Sequence, residues 1–410
     1  MGAAMPDLQA AVDDFCTKLR RRQVEGSMDT AKFTALLLRQ VISHQRIPPS
    51  AQASTLIDAV KSVGLRMIDA NRLELAIGNV VRRVLHIIRE EDASLETDGV
   101  TGINLITDSD DENDGYNIAQ SGVSAAAVAA ANRSALRAPS LHNLLEWIPS
   151  SGATTTVGPT ITDPEVRSRS SDKNSRSWKL KHSVIEGVNE LLNDIENYHS
   201  QVAEQALEHI HQNEVILTQG RSRTLLHFLL EARKKRSFQV FICEGAPRYD
   251  GHILAKELAE ADLQTTVITD SAVFAMISRV NMVIVGAHAV MANGGVIGPV
   301  GLHMVALAAR RHAVPFVVLT GLHKLCPLYP HNPHVLLNDM RSPSEILDFG
   351  DVSDCLDDTT GGPRLRAVNP AFDYVPPELI SLFITDSGGH NPSYLYRLVA
   401  EYYSPEDFAL

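Results

Sequence analysis

The sequence is poor in cysteine and in aromatic residues. Of its 410 residues only four are cysteine and 5% are aromatic, and no two cysteines stand in a CxxC spacing. Zinc ribbons and dithiol redox centres need such paired cysteines, so neither is predicted. A surface that stacks nucleic-acid bases needs aromatic rings, and a formal net charge of −12 repels a phosphate backbone. We therefore expect reduced thiols and no nucleic-acid partner.

The sequence also lacks signals for membrane insertion, export and nucleotide binding. No stretch reaches the roughly 18 apolar residues of a membrane-spanning helix, and the N-terminal MGAAMPDLQAAVDDF has no basic region followed by an apolar core. A GxxxxGK[ST] loop is absent, and GGVIGPVG, at Gly294–Gly301, departs from the GxGxxG order of dinucleotide sites. These absences predict a cytosolic protein that contacts no membrane and binds no cofactor.

The N-terminal part has the pattern of a helical bundle. Apolar residues recur at helical spacing from Leu8 to Leu19 and from Leu73 to Ile87, and a leucine-rich segment lies between these stretches. Pro48 and Pro49 remove backbone donors and disfavour helix in the residue before them, which predicts a break there. Residues 1–92 are therefore predicted to form about four helices.

An acidic stretch that contains glycine and serine follows at residues 93–177. It includes DSDDEND at Asp108–Asp114, which has too little apolar surface to offset the entropy cost of ordering. We expect a largely disordered insertion with a marginal helical element at 121–148. An apolar stripe then runs from Val184 to Val202 and predicts a long connecting helix over residues 178–212.

The C-terminal part, residues 213–410, has the pattern of a parallel sheet. Short β-branched runs alternate with helical segments, and the strands are apolar on both faces, as in sheets that helices cover on both sides. The predicted strands begin at Val215, Gln239, Thr265, Met282 and Phe316. The predicted fold class is α/β, with an N-terminal all-helical domain followed by a Rossmann-like parallel-sheet domain.

In such a sheet, ligands bind beyond the carboxyl ends of the strands, so the loops there are expected to converge. These loops are Gly220–Arg223, Glu244–Arg248, Asp270–Ser271, Gly286–Asn293 and Thr320–Lys324. In the first loop, Arg221, Ser222 and Arg223 stand at a helix N-terminus, where free amides favour an anion. Alternatively, Ser222 only caps the helix, and the arginines are solvated or contact another subunit.

The fourth loop contains one ionisable side chain, His288. It is either a general acid or base or a hydrogen-bonded structural group, and the sequence shows no companion for it. Asn293 begins the run Asn293-Gly294-Gly295, which predicts a turn with positive φ angles followed by a helix.

Cysteine and histidine supply two further candidates. Cys243 ends a predicted strand next to Glu244 and is either a thiol nucleophile or a small core residue. Cys326 lies among three histidines between residues 323 and 334, but prolines interrupt any regular ligand spacing there. We therefore predict no metal site.

Four blocks of the C-terminal part resemble a known family. They are VILTQGRSRT, CEGAPRYDGHILAKEL, VIVGAHAVMANGGVIGPVG and NPAFDYVPPELISLFIT, in this order between Val215 and Thr385. They resemble the regulatory subunits of eukaryotic translation initiation factor 2B, which are similar in turn to archaeal ribose bisphosphate isomerases and methylthioribose phosphate isomerases. The ending GGHNPSYLYRLVAEYYSPEDF is most similar to the beta branch of that family.

The resemblance implies a protein without isomerase activity. The isomerases use a cysteine after the first strand and an aspartate after the fourth, where this sequence has Gly220 and His288. Loss of a general acid or base costs roughly 10²–10⁴ in rate. Because the loops that hold the sugar phosphate are retained, the resemblance also implies a vestigial anion pocket. Its expected residues are Gly220, Arg221, Ser222, Arg223, Arg248, His288 and Asn293.

The resemblance further implies a non-catalytic regulatory subunit of the guanine-nucleotide exchange factor for translation initiation factor 2. The implied partners are the delta, alpha, gamma and epsilon subunits, of which epsilon performs the exchange, and the alpha subunit of initiation factor 2, whose phosphorylation inhibits it. The residues expected at a subunit interface, or alternatively in this chain's own core, are Leu382, Phe383, Tyr394, Tyr396, Leu398 and Tyr402.

Two other functions fit the same residues. One is a sugar-phosphate isomerase whose catalytic groups have moved to Cys243, Asp270 or His288. The other is a sensor that binds a phosphate-bearing metabolite without changing it.

Overall fold

The computed structural model describes residues 5–46, 48, 52–104, 165–330, 338–348, 350, 365–408 and 410. The chain divides into two compact units, of which one comprises residues 1–96 and 173–410 and the other residues 97–172. The acidic run and the marginal helical element predicted within 108–148 lie outside the described residues.

Four helices precede the acidic run. They are α1 (Met5–Arg20), α2 (Ser27–His44), α3 (Gln52–Ala70) and α4 (Leu75–Asn104). Apolar side chains that recur every three or four residues lie on one face of each helix, and these faces pack into a common core with a fifth helix, α5 (Glu165–Glu204). Helix α5 begins at Glu165, well before the predicted start at residue 178. Periodicity in the sequence did not predict its first turns, because they lack the apolar stripe by which a helix is detected. No described helix is long and apolar enough to cross a membrane.

In the described part of the chain, ten strands form two sheets. The strands are β1 (Val215–Gln219), β2 (Gln239–Cys243), β3 (Gln264–Ile268), β4 (Met282–Gly286), β5 (Ala289–Val290), β6 (Val296–Pro299), β7 (Phe316–Leu319), β8 (Phe372–Val375), β9 (Leu382–Thr385) and β10 (Gly388–His390). The larger sheet has the order β10-β9-β7-β4-β1-β2-β3 and is parallel except for β10. All five predicted strands belong to it.

Helices cover both faces of the larger sheet. On one face, α6 (Ala206–His209), α7 (Arg223–Arg233) and α8 (Asp250–Glu260) share a core with the end of α5 and with Ile216 and Val240. On the other face, α9 (Val273–Met276), α10 (Leu302–Arg311) and α11 (Leu395–Tyr402) share a core with Leu217 and Phe241. Neighbouring strand residues point to opposite faces, so apolar residues in unbroken runs supply both cores. This is the predicted Rossmann-like arrangement.

The second sheet, β5-β6-β8, is antiparallel and was not predicted. The predicted turn at Asn293 is present, and Gly294 has a φ of +83°. The turn leads into β6 rather than directly into a helix, because β6 pairs with the distant β8, and α10 begins only after β6. Pairing between segments so far apart in the chain leaves no local signal in the sequence.

Candidate functional site

A pocket of about 610 Å³ lies beyond the carboxyl ends of the central strands. The loops at 219–224, 245–248 and 286–288, which follow β1, β2 and β4, line one side of it. Residues 24–29 and Glu74, from the connections between the N-terminal helices, line the other side. The structure thus brings together the loops after β1, β2 and β4 and Lys324 of the loop after β7, and the N-terminal part completes the pocket. Asp270 and Ser271, of the predicted loop after β3, are not among the lining residues.

The two arginines after β1 are already bound by carboxylates of the same chain. Arg221 donates to Glu257 over distances of 2.6 to 3.2 Å, and this hydrogen bonding raises its pKa. Arg223 donates to both carboxylate oxygens of Asp29 at 3.3 and 3.2 Å. Ser222 is the N-cap of α7, and its Oγ accepts a hydrogen bond from the Leu225 amide. The cap interpretation therefore describes Ser222, while Arg221 and Arg223 are neither freely solvated nor free for a ligand.

Arg248 and Gly220 complete the arginine-bearing side of the pocket. The Arg248 Nη2 atom lies 3.7 Å from Oε2 of Glu25, whose other oxygen lies 4.0 Å from Arg341. Gly220 has a φ of +70°, and a Cβ added there would lie 3.3 Å from Cγ of Pro299. A cysteine at this position would be strained, since L-residues rarely adopt positive φ.

His288 has a companion that sequence reasoning missed. Its Nε2 lies 3.6 Å from Oε1 of Glu74, and its ring stacks on Phe372 with the ring centroids 4.5 Å apart. Both polar side chains are largely buried. Glu74 comes from the connection between α3 and α4, so only the tertiary fold reveals that His288 is held on two sides.

Asn293 does not belong to the pocket, contrary to the sequence prediction. Its Nδ2 donates to the Tyr374 hydroxyl at 2.7 Å, and its Oδ1 accepts from the Gly295 amide. These bonds hold the β5–β6 turn against β8. The turn directs Asn293 away from the strand ends, so its role is structural.

Lys324 and His199 also line the pocket and were not selected from the sequence. Lys324 is buried, and its Nζ donates to the Ala287 carbonyl at 2.9 Å without a carboxylate within ion-pair distance among the described residues. His199 Nδ1 lies 3.0 Å from Thr224 Oγ1. Burial, followed by the charge of Lys324, lowers the pKa of His199 to about 4, so this histidine is neutral near pH 7. Lys324 ends a predicted strand-end loop, but His199 lies on a helix, where no strand-end rule applies.

The residues considered for a relocated isomerase site do not form one. Cys243 is fully buried, and burial raises its pKa to about 12, so its thiol is protonated and unreactive near pH 7. Asp270 accepts hydrogen bonds from the amides of Gly245 and Ala246 at 3.1 and 2.8 Å, which braces the loop after β2. His288 is held by Glu74 and Phe372. The core interpretation of Cys243 therefore describes the structure.

The histidine-rich segment around Cys326 is only partly described, because residues 331–337 lie outside the described residues. Within the described ranges no group of three potential metal ligands comes together. Cys326 is buried and His323 is buried behind Lys324, with its ring 4.7 Å from that of Tyr198.

The six residues proposed for a subunit interface divide into three groups by exposure. Phe383 is fully buried in the chain's own core, since it lies on a strand between two helical layers, and it is therefore removed from the interface candidates. Tyr394 and Tyr396 are exposed. Half-buried residues make up the remainder, namely Leu382, Leu398 and Tyr402.

The sequence matches the model of the "Initiation factor 2 subunit family" over residues 23–392. A translation initiation factor eIF2B subunit beta of Dictyostelium discoideum is 42% identical over 395 residues, which cover 96% of this chain and 95% of the relative. The subunit of the same name from Schizosaccharomyces pombe is 35% identical over 404 residues, covering 98% and 97%. A ribose 1,5-bisphosphate isomerase of Archaeoglobus fulgidus is 30% identical over 226 residues, covering 54% of this chain and 68% of the isomerase.

The fold is similar to that of a solved family member. The crystal structure of eIF2B beta from Chaetomium thermophilum superimposes with a TM-score of 0.63 at 24% identity, and the match covers 98% of this chain and 93% of that one. At this identity the likeness concerns the fold, and it confirms the predicted α/β class with N-terminal helices.

Fold and site together define a Rossmann-like α/β protein in which most of the described strand-end residues are engaged in contacts within the chain. The chain belongs to the initiation factor 2 subunit family. Its near-full-length relatives are beta subunits, whereas the isomerase match covers only about half of the chain. The predictions of a beta-type family member, and of a regulatory subunit of the initiation factor 2 exchange factor rather than an enzyme, are therefore confirmed.

Proposed function

We propose that this chain acts in the cytosol as a scaffold that contacts the delta, alpha, gamma and epsilon subunits of the exchange factor. We further propose that it helps the assembly sense phosphorylation of the alpha subunit of initiation factor 2. The observation that carries the proposal is the state of the strand-end site. Its arginines are paired with the chain's own carboxylates, and Gly220 adopts a conformation that disfavours a nucleophilic side chain. Such a site stabilises an architecture instead of turning over a substrate.

The solved relatives support the delta subunit as a first partner. A crystal structure titled as the tetrameric eIF2B-beta2-delta2 complex from C. thermophilum matches with a TM-score of 0.62 at 24% identity and covers 97% of this chain. We propose the same pairing for this chain, with residues 213–410 carrying the subunit contacts. Tyr394 and Tyr396, exposed near the chain end, stay candidates for a contact with a further subunit.

The contacts between the N-terminal helices and the sheet support the sensing role. Asp29 of α2 binds Arg223 at the pocket, and Arg89 of α4 binds Asp407 near the chain end. We propose that residues 1–92 contact the alpha subunit of initiation factor 2. These ionic contacts would then transmit the effect of that binding from the helices to the sheet. Two conformations of the assembly would then differ in affinity for phosphorylated and unphosphorylated initiation factor 2.

The experiment is reconstitution of the exchange factor with and without this chain, followed by native mass spectrometry and nucleotide exchange. We expect the chain to enter the complex with delta, and we expect phosphorylated initiation factor 2 to inhibit exchange only when the chain is present. Equal inhibition in both preparations, or a chain that stays monomeric beside delta, would refute the proposal. Turnover of ribose 1,5-bisphosphate by the purified chain would support the isomerase alternative instead.

A second candidate function, binding of a phosphate-bearing metabolite, is favoured by Lys324. This buried ammonium donates to the Ala287 carbonyl, lies 5.8 Å from the Tyr198 ring centroid and lines the same pocket as the N-terminus of α7. Calorimetry with inorganic phosphate and with ribose 1,5-bisphosphate tests it. If the pocket binds anions, Lys324→Met should weaken binding at least tenfold, whereas the exposed control Lys256→Met should not. If neither phosphate nor ribose 1,5-bisphosphate binds the wild-type chain, metabolite binding is refuted and only the scaffold function stands.

A further inference from the structure

A short segment between the first two helices carries negative charge into the pocket. Residues 24–29 lie at the end of the connection between α1 and α2 and in the first turn of α2, and they line the pocket opposite the strand ends. We call this segment the strap. Its two carboxylates are Glu25 and Asp29. Within the described ranges, both form ion pairs only with arginines from residues 213–410.

The three arginines that bind the strap come from separate loops and converge on it. Arg223 follows β1 and donates to both carboxylate oxygens of Asp29 at 3.2 and 3.3 Å. Arg248 follows β2 and lies 3.7 Å from Glu25, whose other oxygen lies 4.0 Å from Arg341, between β7 and β8. All three arginines line the pocket. Without the strap they would form a cleft of one charge sign, which attracts small anions.

Apart from these ion pairs, the first half of the strap has few contacts that hold it in place. Glu25 and Gly26 are exposed, and a Cβ added at Gly26 would meet no atom within 4 Å beyond its chain neighbours. The amides of Val24, Glu25 and Gly26 donate to no backbone carbonyl in the part of the chain that the structure describes. Firm packing begins at Ser27, which is buried. Because exposed ion pairs are individually weak and are screened by salt, the strap can open while α1 and α2 stay folded.

We propose that the strap is an internal anion that closes the pocket and competes with a phosphate-bearing ligand for Arg223, Arg248 and Arg341. Arg221 takes no part in this competition, because Glu257 of α8, outside the strap, binds it. Binding of the ligand displaces the strap, and by reciprocity a partner that moves the start of α2 frees the arginines for the ligand. The proposal rests on the second candidate function, binding of a phosphate-bearing metabolite, and adds how that binding is regulated.

The first experiment measures the dissociation constant of the full chain for inorganic phosphate by calorimetry at constant ionic strength. The strap variant, Glu25→Gln with Asp29→Asn, should lower this constant by about tenfold or more, because the arginines lose their competing partner. The matched control, Asp69→Asn with Asp262→Asn, removes two exposed carboxylates that pair with arginines and do not line the pocket, so it changes the net charge equally. It should leave the constant unchanged. If the strap carboxylates were merely structural, their loss would loosen the pocket and weaken phosphate binding.

The second experiment follows tryptic cleavage after Arg22, just before the strap. Cleavage tracks the population in which a segment is open, so it should be about tenfold faster in the strap variant than in the wild type. Phosphate should also accelerate cleavage of the wild type relative to chloride at the same ionic strength, whereas a pocket that closes on its ligand would be cut more slowly. Thermal unfolding verifies that the variants are folded, and Glu25→Gln alone, at an exposed residue, replaces the strap variant if that variant does not fold.

The outcomes separate the strap from metabolite binding itself. Slower cleavage in phosphate, or equal or weaker phosphate binding by the strap variant, would overturn the inference. Wild-type binding that Lys324→Met weakens would in that case leave the metabolite function intact. If neither the wild type nor the strap variant binds phosphate, the metabolite function and its regulation are both refuted.

Discussion

Two sets of ionic contacts join the N-terminal helices to the sheet, and they differ in exposure. At the pocket, Arg223 binds Asp29 with both side chains substantially exposed. Near the chain end, the carboxylate of Asp407 is fully buried and binds Arg89 through two hydrogen bonds and Lys61 at 2.9 Å. Exposed pairs contribute about 0–1 kcal/mol, whereas removing one partner of a buried pair typically costs about 3–5 kcal/mol. The Arg223–Asp29 pair is therefore expected to be much weaker than the contact of Asp407 with Arg89 and Lys61.

The chain-end junction is reinforced by backbone contacts. Arg82, a buried residue of α4, donates to the carbonyls of Asp407, Phe408 and Leu410 at 3.1 to 3.3 Å. Burial opposes ionisation of Asp407, but hydrogen bonds and charges from Arg89 and Lys61 outweigh it and lower its pKa. The Asp407 contact thus holds the helices more firmly than the exposed Arg223–Asp29 pair does, and the largely buried His288–Glu74 contact adds to the pocket junction.

The largest effect is expected for Asp407→Ala. It leaves Arg89 and Lys61 without their shared carboxylate, and we expect the free energy of unfolding to fall by about 3–5 kcal/mol in urea denaturation. The matched control is Glu406→Ala, because Glu406 is an exposed neighbour that binds Arg89 at 2.5 Å, and its loss should cost about 0–1 kcal/mol. Equal losses for the two variants would show that the burial of Asp407 does not make its contact stronger than that of Glu406.

The next effect is a pH dependence of stability at His199, a neutral residue of α5 that contacts Thr224 on α7. Its folded-state pKa of about 4 lies below the ordinary value of 6.5, so the unfolded chain takes up a proton that the folded chain does not. The contribution of neutral His199 to the free energy of unfolding is therefore fully present above pH 6.5. It is lost as the pH falls towards 4, by up to about 3 kcal/mol. Urea denaturation at both pH values should show a smaller acid loss in His199→Asn than in wild type. Parallel pH profiles would contradict the assignment.

A smaller effect is expected at Gly220, on the pocket side. Because its φ is +70°, Gly220→Ala should lower the free energy of unfolding by about 1–2 kcal/mol, whereas Gly220→Asn should cost less, since asparagine tolerates the left-handed region. Both variants are measured by urea denaturation. A stabilising Gly220→Ala would mean that the strand-end loop is not held in this conformation.

The smallest effect is expected for Asp29→Asn. Loss of its exposed contact with Arg223 should cost about 0–1 kcal/mol and should disappear near 1 M salt, where the screening length is about 3 Å. Asp14→Asn, which breaks the exposed pair with Lys18 on α1, is the control with a similarly small cost. If Asp29→Asn were as costly as Asp407→Ala, the exposed Arg223–Asp29 pair could not be the weaker of the two contacts.

The sequence predicted helices and strands better than it predicted contacts between residues far apart in the chain. Local apolar periodicity marked α1 and α4, a leucine-rich segment marked α2, and β-branched runs marked the five main parallel strands. The sequence predicted about four helices without locating α3, and the rule for strand ends selected most of the pocket loops. It also assigned Asn293 to the pocket, which the structure does not support, and it left Phe383 open between an interface and the core, of which the structure supports the core. Sequence could not decide either case, because β6–β8 pairing and the two-sided cover of β9 are long-range features. Glu74 was missed for the same reason, as it meets His288 only across the fold.

The sequence by itself determined the family and the fold class, since these depend on residue identity and local order. Only the tertiary structure decided which charged side chains are paired with an opposite charge. Whether Arg223 is free or bound, or whether Asp407 lies in solvent or beneath Arg89, depends on segments brought together from opposite ends of the chain. Charge pairing and burial act through space, and sequence distance does not record them.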